Sequence, residues 1–305
     1  MTAHACRSCG ERGLRTFLSL GTTPLADALV SPRNAEEPEP RFPLDVAFCP
    51  ACSLVPILEE VPPEQLFVDN YLYFSSFSDA LVDHARRHAE GLISSRGLGP
   101  GSLVVEVASN DGYLLRQFAE RAVPVLGIDP APDQADAAEA VGVPTVREFF
   151  GAELAARLRS EGRAADVVVA NNVMAHTPDL NGFVEGLSIL LAADGVATVE
   201  NPYVRDLIEH CEFDTIYHEH FSYFSCTSVD ALMRRHGLRL IDVESFPSLH
   251  GGTLRWTVAH EGAASASAAV ERYLAEERSV GLDRFDFYAA FGERVVRLRD
   301  DLLTL

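Results

Sequence analysis

Short apolar runs rich in β-branched residues alternate with helical segments through the middle of the chain. The runs fall at 103–109, 124–130, 144–150, 165–173 and 195–202, and the helical segments between them at 113–121, 133–142, 152–160 and 180–191. Parallel strands are joined by crossovers that are usually helices, and both faces of such a sheet are then buried. The alternation therefore predicts an α/β fold with a Rossmann-like, mainly parallel sheet covered by helices on both sides.

Further elements are predicted on either side of this region. A helix over 78–95 has Ser78 as its N-cap and Gly97 just after its end. Two apolar runs at 238–246 and 252–261 are predicted to form a hairpin at the edge of the sheet. From about residue 265 to 305, apolar residues recur at three- and four-residue spacing, which predicts a helical C-terminal segment.

The first 70 residues are rich in proline and show no long helical period, so they cannot build much of a core alone. They carry two CxxC pairs, Cys6 with Cys9 and Cys49 with Cys52. Four thiolates form a closed tetrahedral zinc site, and a bound metal would stabilise a segment that lacks a core. We predict structural Zn²⁺ there; a redox-active pair or two unrelated buried pairs are the alternatives.

Charge and composition exclude several functions. Acidic residues outnumber basic ones by 45 to 25, so the net charge of −20 argues against nucleic acid or an anionic membrane surface as partners. All the basic residues are arginine, so Schiff-base chemistry and a lysine-containing phosphate loop are excluded. No apolar run approaches the roughly 20 residues that a membrane helix needs. The N-terminus shows no secretion leader, so a cytoplasmic location is expected.

A ligand-binding turn is predicted where the first strand of the sheet meets a helix. Glu106 lies in that strand, Ser109, Asn110, Asp111 and Gly112 form the turn, and Asp129 ends the next strand. A carboxylate at that position can accept both hydroxyls of a ribose. With a single glycine, the turn fits a dinucleotide poorly, whereas S-adenosylmethionine has no phosphate to accommodate. The alternative is that these acidic residues only cap helices.

Polar residues also follow the fourth and fifth strands of the predicted sheet. They occupy 171–176, with Asn172 and His176, and 200–203. Open α/β sheets bind ligands at the carboxyl ends of their strands, so these residues are predicted to face the same cleft.

Residues 213–223 combine Tyr217, His218, Glu219 and His220 outside any helical period. In an extended segment, His218 and His220 would share one face, which makes a second metal site geometrically feasible. General acid–base chemistry is the better functional interpretation. A polar loop whose histidines bond only to the backbone is the alternative.

Six motifs, in order, resemble those of the S-adenosylmethionine-dependent C-methyltransferases that act on nucleotide-linked keto-deoxysugars in antibiotic pathways. They are CRSCG with CPAC, YLYFSSFS (71–78), EVASNDGYLL (106–115), NNVMAHTPDL (171–180), FDTIYHEHFSYFS (213–225) and HGGTLR (250–255). The resemblance implies a zinc-binding domain at 1–70, a methyltransferase domain at 71–262 and a C-terminal helical segment at 263–305. It also implies a C-terminal domain that helps to hold the nucleotide of the sugar, which would only be beginning where this sequence stops.

The resemblance also implies roles for individual residues. His220 is expected to be the general base, with Glu219 and Tyr217 orienting it or bonding to the oxygens of the sugar and the enolate. His218 and Tyr73, or its neighbour Tyr71, are expected to assist. Asp129 is expected to bind the ribose of the cofactor, with the turn 109–112 near its methionine end. Two other functions remain open: O- or N-methylation of another small molecule, and a non-catalytic zinc-bearing partner protein.

Overall fold

The computed structural model describes residues 4–32, 36–68 and 71–305. Its strands are β1 (Arg15–Pro24), β2 (Arg41–Phe48), β3 (Val55–Pro56), β4 (Val104–Val107), β5 (Val125–Ile128), β6 (Thr145–Val146), β7 (Ala165–Asn171), β8 (Leu191–Pro202), β9 (Ser222–Tyr223), β10 (Leu238–Phe246) and β11 (Thr253–His260). Its α-helices are α1 (Pro63–Phe67), α2 (Asp79–Arg96), α3 (Leu115–Ala119), α4 (Pro132–Ala140), α5 (Ala152–Ser160), α6 (Leu180–Leu190), α7 (Val204–His210), α8 (Cys226–Arg235), α9 (Ala268–Val280) and α10 (Phe285–Leu303).

Seven strands form the central sheet in the order β10-β11-β8-β7-β4-β5-β6. The five strands from β8 to β6 are parallel, and β11 and β10 add to β8 as an antiparallel hairpin at the edge. This confirms the predicted Rossmann-like sheet and its edge hairpin. The carboxyl ends of the parallel strands meet at one edge of the sheet, and ligands bind at that edge in open α/β folds.

Two predicted strands are shorter than the sequence indicated. The run 103–109 stays in the sheet only through Val107, because Ala108 has a φ of 55° and turns the chain out of the strand. Of the run 144–150, only Thr145 and Val146 pair, at the sheet's edge next to β5. The rest of that run leaves the sheet.

Helix α2 confirms both of its predicted ends. The side chain of Ser78 accepts a hydrogen bond from the backbone N–H of Leu81, which caps the first turn. Gly97 ends the helix with a φ of 64°, a left-handed conformation that glycine adopts without steric cost. Among the described residues, no helix combines the length and the apolar character needed to cross a bilayer.

The N-terminal segment shares its core with the rest of the chain. The β1–β2 hairpin packs on α10, where the rings of Phe17 and Phe48 lie 5.4 and 4.7 Å from the ring of Tyr288. One hydrophobic cluster runs from this hairpin through the sheet to the C-terminal helices. The domain boundaries after residues 70 and 262 stay a prediction, since this continuous core crosses both positions.

Candidate functional site

The four cysteines of the two CxxC pairs converge on one point. Their Sγ atoms all lie within 4.8 Å of one another, and the pairs Cys6–Cys52 and Cys9–Cys49 are each 3.6 Å apart. Zn–S bonds of about 2.3 Å in a tetrahedron place sulfurs about 3.8 Å apart, so the four thiolates fit Zn²⁺ closely. All four protein ligands are sulfur, so no position is left for water and the site is structural.

A second site is a cavity of about 710 Å³ at the carboxyl ends of the parallel strands. Residues after β4, β5, β7 and β8 line it, together with the segment 71–77, hereafter the strap, and residues 217–223. Of the individual site residues predicted from sequence, nine line this cavity: Tyr71, Tyr73, Asn110, Asp129, Asn172, His176, Tyr217, Glu219 and His220. The fold therefore brings the predicted cofactor residues and the predicted catalytic residues into one space.

Asp129 lies at the end of β5 and is buried against this cavity. Its Oδ2 accepts from the N–H of Asn110 at 2.8 Å, and its Oδ1 from the N–H of Ala131 at 2.9 Å. Burial raises the pKa of this carboxyl, and the two backbone N–H groups oppose that shift. A carboxylate has about four acceptor sites, so two remain for the hydroxyls of a ribose.

Two aromatic side chains also line the cavity. Phe149 and Phe150, which follow β6, line it together with Ile128. They could hold the adenine of a nucleoside cofactor. The sequence predicted both phenylalanines to lie in a strand, because nothing in the run 144–150 indicates where pairing stops.

The side chains of the predicted cofactor turn hold the strap. The amide of Asn110 accepts from the N–H of Ser75 at 2.9 Å and donates to the carbonyl of Tyr73 at 3.1 Å, while Asp111 accepts from the N–H of Ser76 at 3.0 Å. From α4, the amide of Gln134 also donates to the carbonyl of Tyr73, at 3.1 Å. The turn therefore positions Tyr73 in the cavity.

Four residues predicted to bind the cofactor, Glu106, Ser109, Asp111 and Gly112, are outside the lining of the cavity among the described residues. Glu106 is fully buried in β4, where burial and the nearby Asp129 raise its pKa well above the ordinary value. Ser109 packs so closely on Gly127 that a Cβ at Gly127 would lie 2.5 Å from its hydroxyl oxygen. These residues shape the turn in the structure, and direct contact with the cofactor stays a prediction.

The proposed base, His220, has both ring nitrogens engaged. Nδ1 lies 3.0 Å from the carbonyl oxygen of Thr215, and Nε2 lies 3.1 Å from the hydroxyl of Tyr217. A carbonyl only accepts, so Nδ1 carries the proton and Nε2 accepts from Tyr217. Burial lowers the pKa of His220 to about 4, which keeps the imidazole neutral.

Glu219 precedes His220 in the sequence, is buried and lines the same cavity. Burial, and after it the charge of Asp27, raise its pKa to about 7. Asp27 reaches the cavity from the loop after β1, and no sequence signal placed it there.

His218 does not share a face with His220. Residues 217–220 form a turn closed by the N–H of His220 and the carbonyl of Tyr217 at 3.1 Å, so the alternation expected of an extended segment is lost. The Nε2 of His218 bonds to the carbonyl of Pro43 at 3.0 Å, outside the cavity lining. The idea of a second metal is therefore wrong on geometry: within 4–32, 36–68 and 71–305, the cysteine quartet is the one cluster with metal-ligand spacing.

Behind the cavity, Glu200 and Arg255 fix the end of β8 against β11. The guanidinium Nε of Arg255 lies 2.6 Å from Oε1 of Glu200, and Nε2 of His84 lies 3.0 Å from Oε2. Burial alone would raise the pKa of Glu200, but the bond to His84 and the charge of Arg255 lower it to about 2. This ion pair accounts for the arginine of the HGGTLR motif.

Several residues that line the cavity carry a neutral, buried polar atom without a hydrogen-bond partner among the described residues. These atoms are Asn171 Oδ1, Asn172 Oδ1, His176 Nδ1, Asn201 Nδ2, Ser222 Oγ and the hydroxyl of Tyr223. Buried polar atoms are normally paired, so such a set indicates a ligand that supplies both donors and acceptors. The sequence predicted that the strand ends at 171–176 and 200–203 face the cleft; Ser222 and Tyr223 lie within the histidine-rich segment 213–223, where neither was given a role of its own.

Three family models match consecutive parts of the chain. One described as a zinc binding domain matches residues 6–67, a methyltransferase domain matches 83–243, and a C-methyltransferase C-terminal domain matches 248–305. The zinc-binding match agrees with the cysteine quartet, and the methyltransferase match covers most of the cavity-forming strands.

Two known proteins align with this chain over different shares of its length. The chain is 37% identical over 301 residues to the C-methyltransferase NovU of Streptomyces niveus, an alignment that covers 98% of this chain and 71% of that protein. The crystal structure of the PH0226 protein from Pyrococcus horikoshii OT3 aligns with 62% of this chain and 95% of its own, with a TM-score of 0.50 and 14% identity. The second likeness is one of fold alone.

Proposed function

Because the chain belongs to the family of S-adenosylmethionine-dependent C-methyltransferases, we propose that it methylates the carbon next to a ketone in a nucleotide-linked deoxysugar. The reaction would proceed through an enolate, as a step of antibiotic biosynthesis. The observation that carries the proposal is a neutral histidine, His220, whose unprotonated ring nitrogen is Nε2 and which lines the same cavity as Asp129.

Methylation of such a carbon begins with the removal of a weakly acidic proton. We assign this step to Nε2 of His220, because Nδ1 already carries a proton toward the carbonyl of Thr215. The C–H bond breaks, its electron pair moves toward the ketone oxygen as the enolate forms, and the proton bonds to Nε2. Before that transfer, Tyr217 must release its hydrogen bond to Nε2, which frees the lone pair for the proton and the hydroxyl of Tyr217 for an oxygen of the substrate.

The cofactor, when bound, supplies a sulfonium methyl group that the nucleophilic carbon takes as the C–S bond breaks and S-adenosylhomocysteine forms. Asp129 would hold the ribose, and Phe149 and Phe150 would pack on the adenine. Glu219, with a pKa of about 7, can favour the imidazolium of His220 when ionised. A cavity lined by several carboxylates also favours a cationic donor.

The polar lining supports a sugar as the substrate. The six unpartnered atoms on residues that line the cavity belong to amides, hydroxyls and an imidazole, and none belongs to a charged group. A ring carrying a ketone and hydroxyl groups can satisfy donors and acceptors of this kind.

The proposal is tested by incubating the protein with S-adenosylmethionine and a panel of keto-sugar nucleotides, then locating any added methyl group by NMR. We expect a new methyl group on a carbon next to the ketone of one panel member. In D₂O with S-adenosylhomocysteine instead of the donor, the same carbon should exchange its proton for deuterium. A methyl group found on oxygen or nitrogen, or no methylation of any member, would overturn the proposal.

A further inference from the structure

Three of the unpartnered groups are hydrogen-bond donors on residues that line the same cavity as His220. They are the Nδ2 of Asn201 and the hydroxyls of Ser222 and Tyr223, and all three residues are buried. The ring of Tyr223 lies edge-on to that of His220, with centroids 5.9 Å apart.

Asn201 cannot turn its donor away from the cavity without losing a bond. Its Oδ1 accepts from the N–H of Ala175 at 3.1 Å, and this bond assigns the orientation of the amide. The Nδ2 atom, which can donate two hydrogen bonds, is then left without a partner among the described residues.

Ser222 and Tyr223 are held by backbone pairing. They form β9, which pairs with β3 through Val55↔Tyr223 and Pro56↔Ser222. A parallel bridge joins Tyr203 to Phe224, so the end of β8 runs beside β9 and carries Asn201 toward Ser222. The three donors therefore come from two adjacent strand segments whose backbones are fixed before any ligand binds.

We propose that Asn201, Ser222 and Tyr223 form an oxyanion site that binds the ketone oxygen of the substrate and stabilises the negative charge it gains as an enolate. The inference rests on the proposed function and extends it, because it assigns these three residues to the deprotonation step. In that step the proton passes to Nε2 of His220 and the electron pair moves to the ketone oxygen, while the three donors keep their protons.

Preorganised donors are effective because they need no rearrangement when charge develops. Burial and the neighbouring Tyr217 raise the pKa of Tyr223 well above its usual value, so its hydroxyl stays protonated and able to donate. An unpartnered hydroxyl is not sufficient evidence in itself, since Thr198 of β8 also has one. What distinguishes the three residues is that they line the cavity that the proposed base also lines, whereas Thr198 is outside its lining in the described part of the chain.

Three near-isosteric variants test the site. Asn201→Asp keeps an oxygen for the N–H of Ala175 but replaces the donor with an acceptor, and Ser222→Ala and Tyr223→Phe each remove one hydroxyl. The matched control is Thr198→Val, which removes a buried, unpartnered hydroxyl outside the cavity. Steady-state kinetics use the keto-sugar nucleotide that the wild type methylates, and affinity for S-adenosylhomocysteine is measured by calorimetry.

We expect each of the three variants to lower kcat by about 10²- to 10³-fold, as the loss of one oxyanion donor does in other enzymes. Deuterium exchange at the substrate carbon should slow in parallel. The affinity of each variant for S-adenosylhomocysteine should stay within twofold of the wild type. The control Thr198→Val should match the wild type in kcat, exchange rate and cofactor affinity. Wild-type kcat and exchange in all three variants, or a loss confined to KM, would overturn the inference while leaving the proposed function intact. A wild type that neither methylates nor exchanges any panel member would overturn both.

Discussion

The carboxylate of Glu277 in α9 is fully buried and accepts four hydrogen bonds. Oε1 accepts from the hydroxyl of Tyr203 at 2.9 Å and the N–H of Cys226 at 2.7 Å, while Oε2 accepts from the N–H and hydroxyl of Thr227 at 2.8 and 2.6 Å. The two N–H groups belong to the first turn of α8, where a negative charge is stabilising. Tyr203 lines the cavity, so Glu277 connects the C-terminal helices to the site.

We expect Glu277→Gln, which replaces one oxygen by an amide nitrogen, to lower the free energy of unfolding by about 3–5 kcal/mol. The N–H of Thr227 would lose its acceptor inside the protein, which costs about 1–3 kcal/mol. The remaining bonds would change from charge-assisted to neutral ones, which are roughly half as strong. Loss of the charge at the start of α8 would add about 0.3–1 kcal/mol.

The measurement is urea denaturation of the zinc-loaded protein, followed by circular dichroism. Glu276→Gln is the matched control, because the neighbouring side chain is about half exposed and its closest arginine contact is 3.9 Å. The free energy of unfolding of that control should be close to that of the wild type. If Glu277→Gln were to unfold within about 1 kcal/mol of the wild type, the four bonds would not carry the stability assigned to them.

Three further predictions concern the metal, the cofactor and pH. Chelation of zinc, or Cys49→Ser, should unfold the N-terminal segment, seen as increased proteolysis of residues 4–68; unchanged proteolysis would contradict a structural metal. Asp129→Ala should weaken S-adenosylhomocysteine binding by at least tenfold by calorimetry, and unchanged affinity would remove Asp129 from the cofactor site. For Glu219, with a raised pKa of about 7, kcat/KM should increase through an inflection near pH 7 as the carboxylate ionises. Glu219→Gln should abolish that inflection, and an inflection that persists would assign it to another group.

The stability of the protein should also depend on His220. Its folded pKa of about 4 lies below the ordinary value of 6.5, so the unfolded chain takes up the proton first as the pH falls. The free energy of unfolding therefore has its full value above pH 6.5 and decreases by roughly 3 kcal/mol between about pH 6.5 and 4, because the folded protein keeps His220 neutral. The measurement compares the urea midpoints of the wild type and His220→Asn at a series of pH values across that range. If the two midpoints changed with pH in parallel, the lowered pKa of His220 would be refuted.

What the sequence predicted well depends on local periodicity and short spacing. Asp129 follows a buried strand, so its place at the binding edge follows from the alternation of the sheet. The cysteines occur as two CxxC pairs, and four thiolates have one common metal geometry. Both conclusions start from short local patterns and add a general rule of fold or coordination, and the coordination rule joins the two CxxC pairs although 39 residues separate them.

The missed features depend on contacts between distant residues. Asn110 bonds to the strap 35 residues earlier, and Phe17 packs on Tyr288 at the other end of the chain. Nothing in the local sequence distinguishes a side chain that binds a cofactor from one that holds a neighbouring segment. His218 was misassigned because the turn at 217–220, rather than an extended strand, decides which way its ring points.

The central claim is that the neutral imidazole of His220 removes a proton from the substrate carbon. The most direct measurement is deuterium incorporation at that carbon in D₂O, with S-adenosylhomocysteine in the cofactor site, for the wild type and His220→Ala. The account predicts exchange in the wild type and a loss of at least 10²-fold in the variant, with cofactor affinity unchanged. Exchange at the wild-type rate in His220→Ala would contradict it.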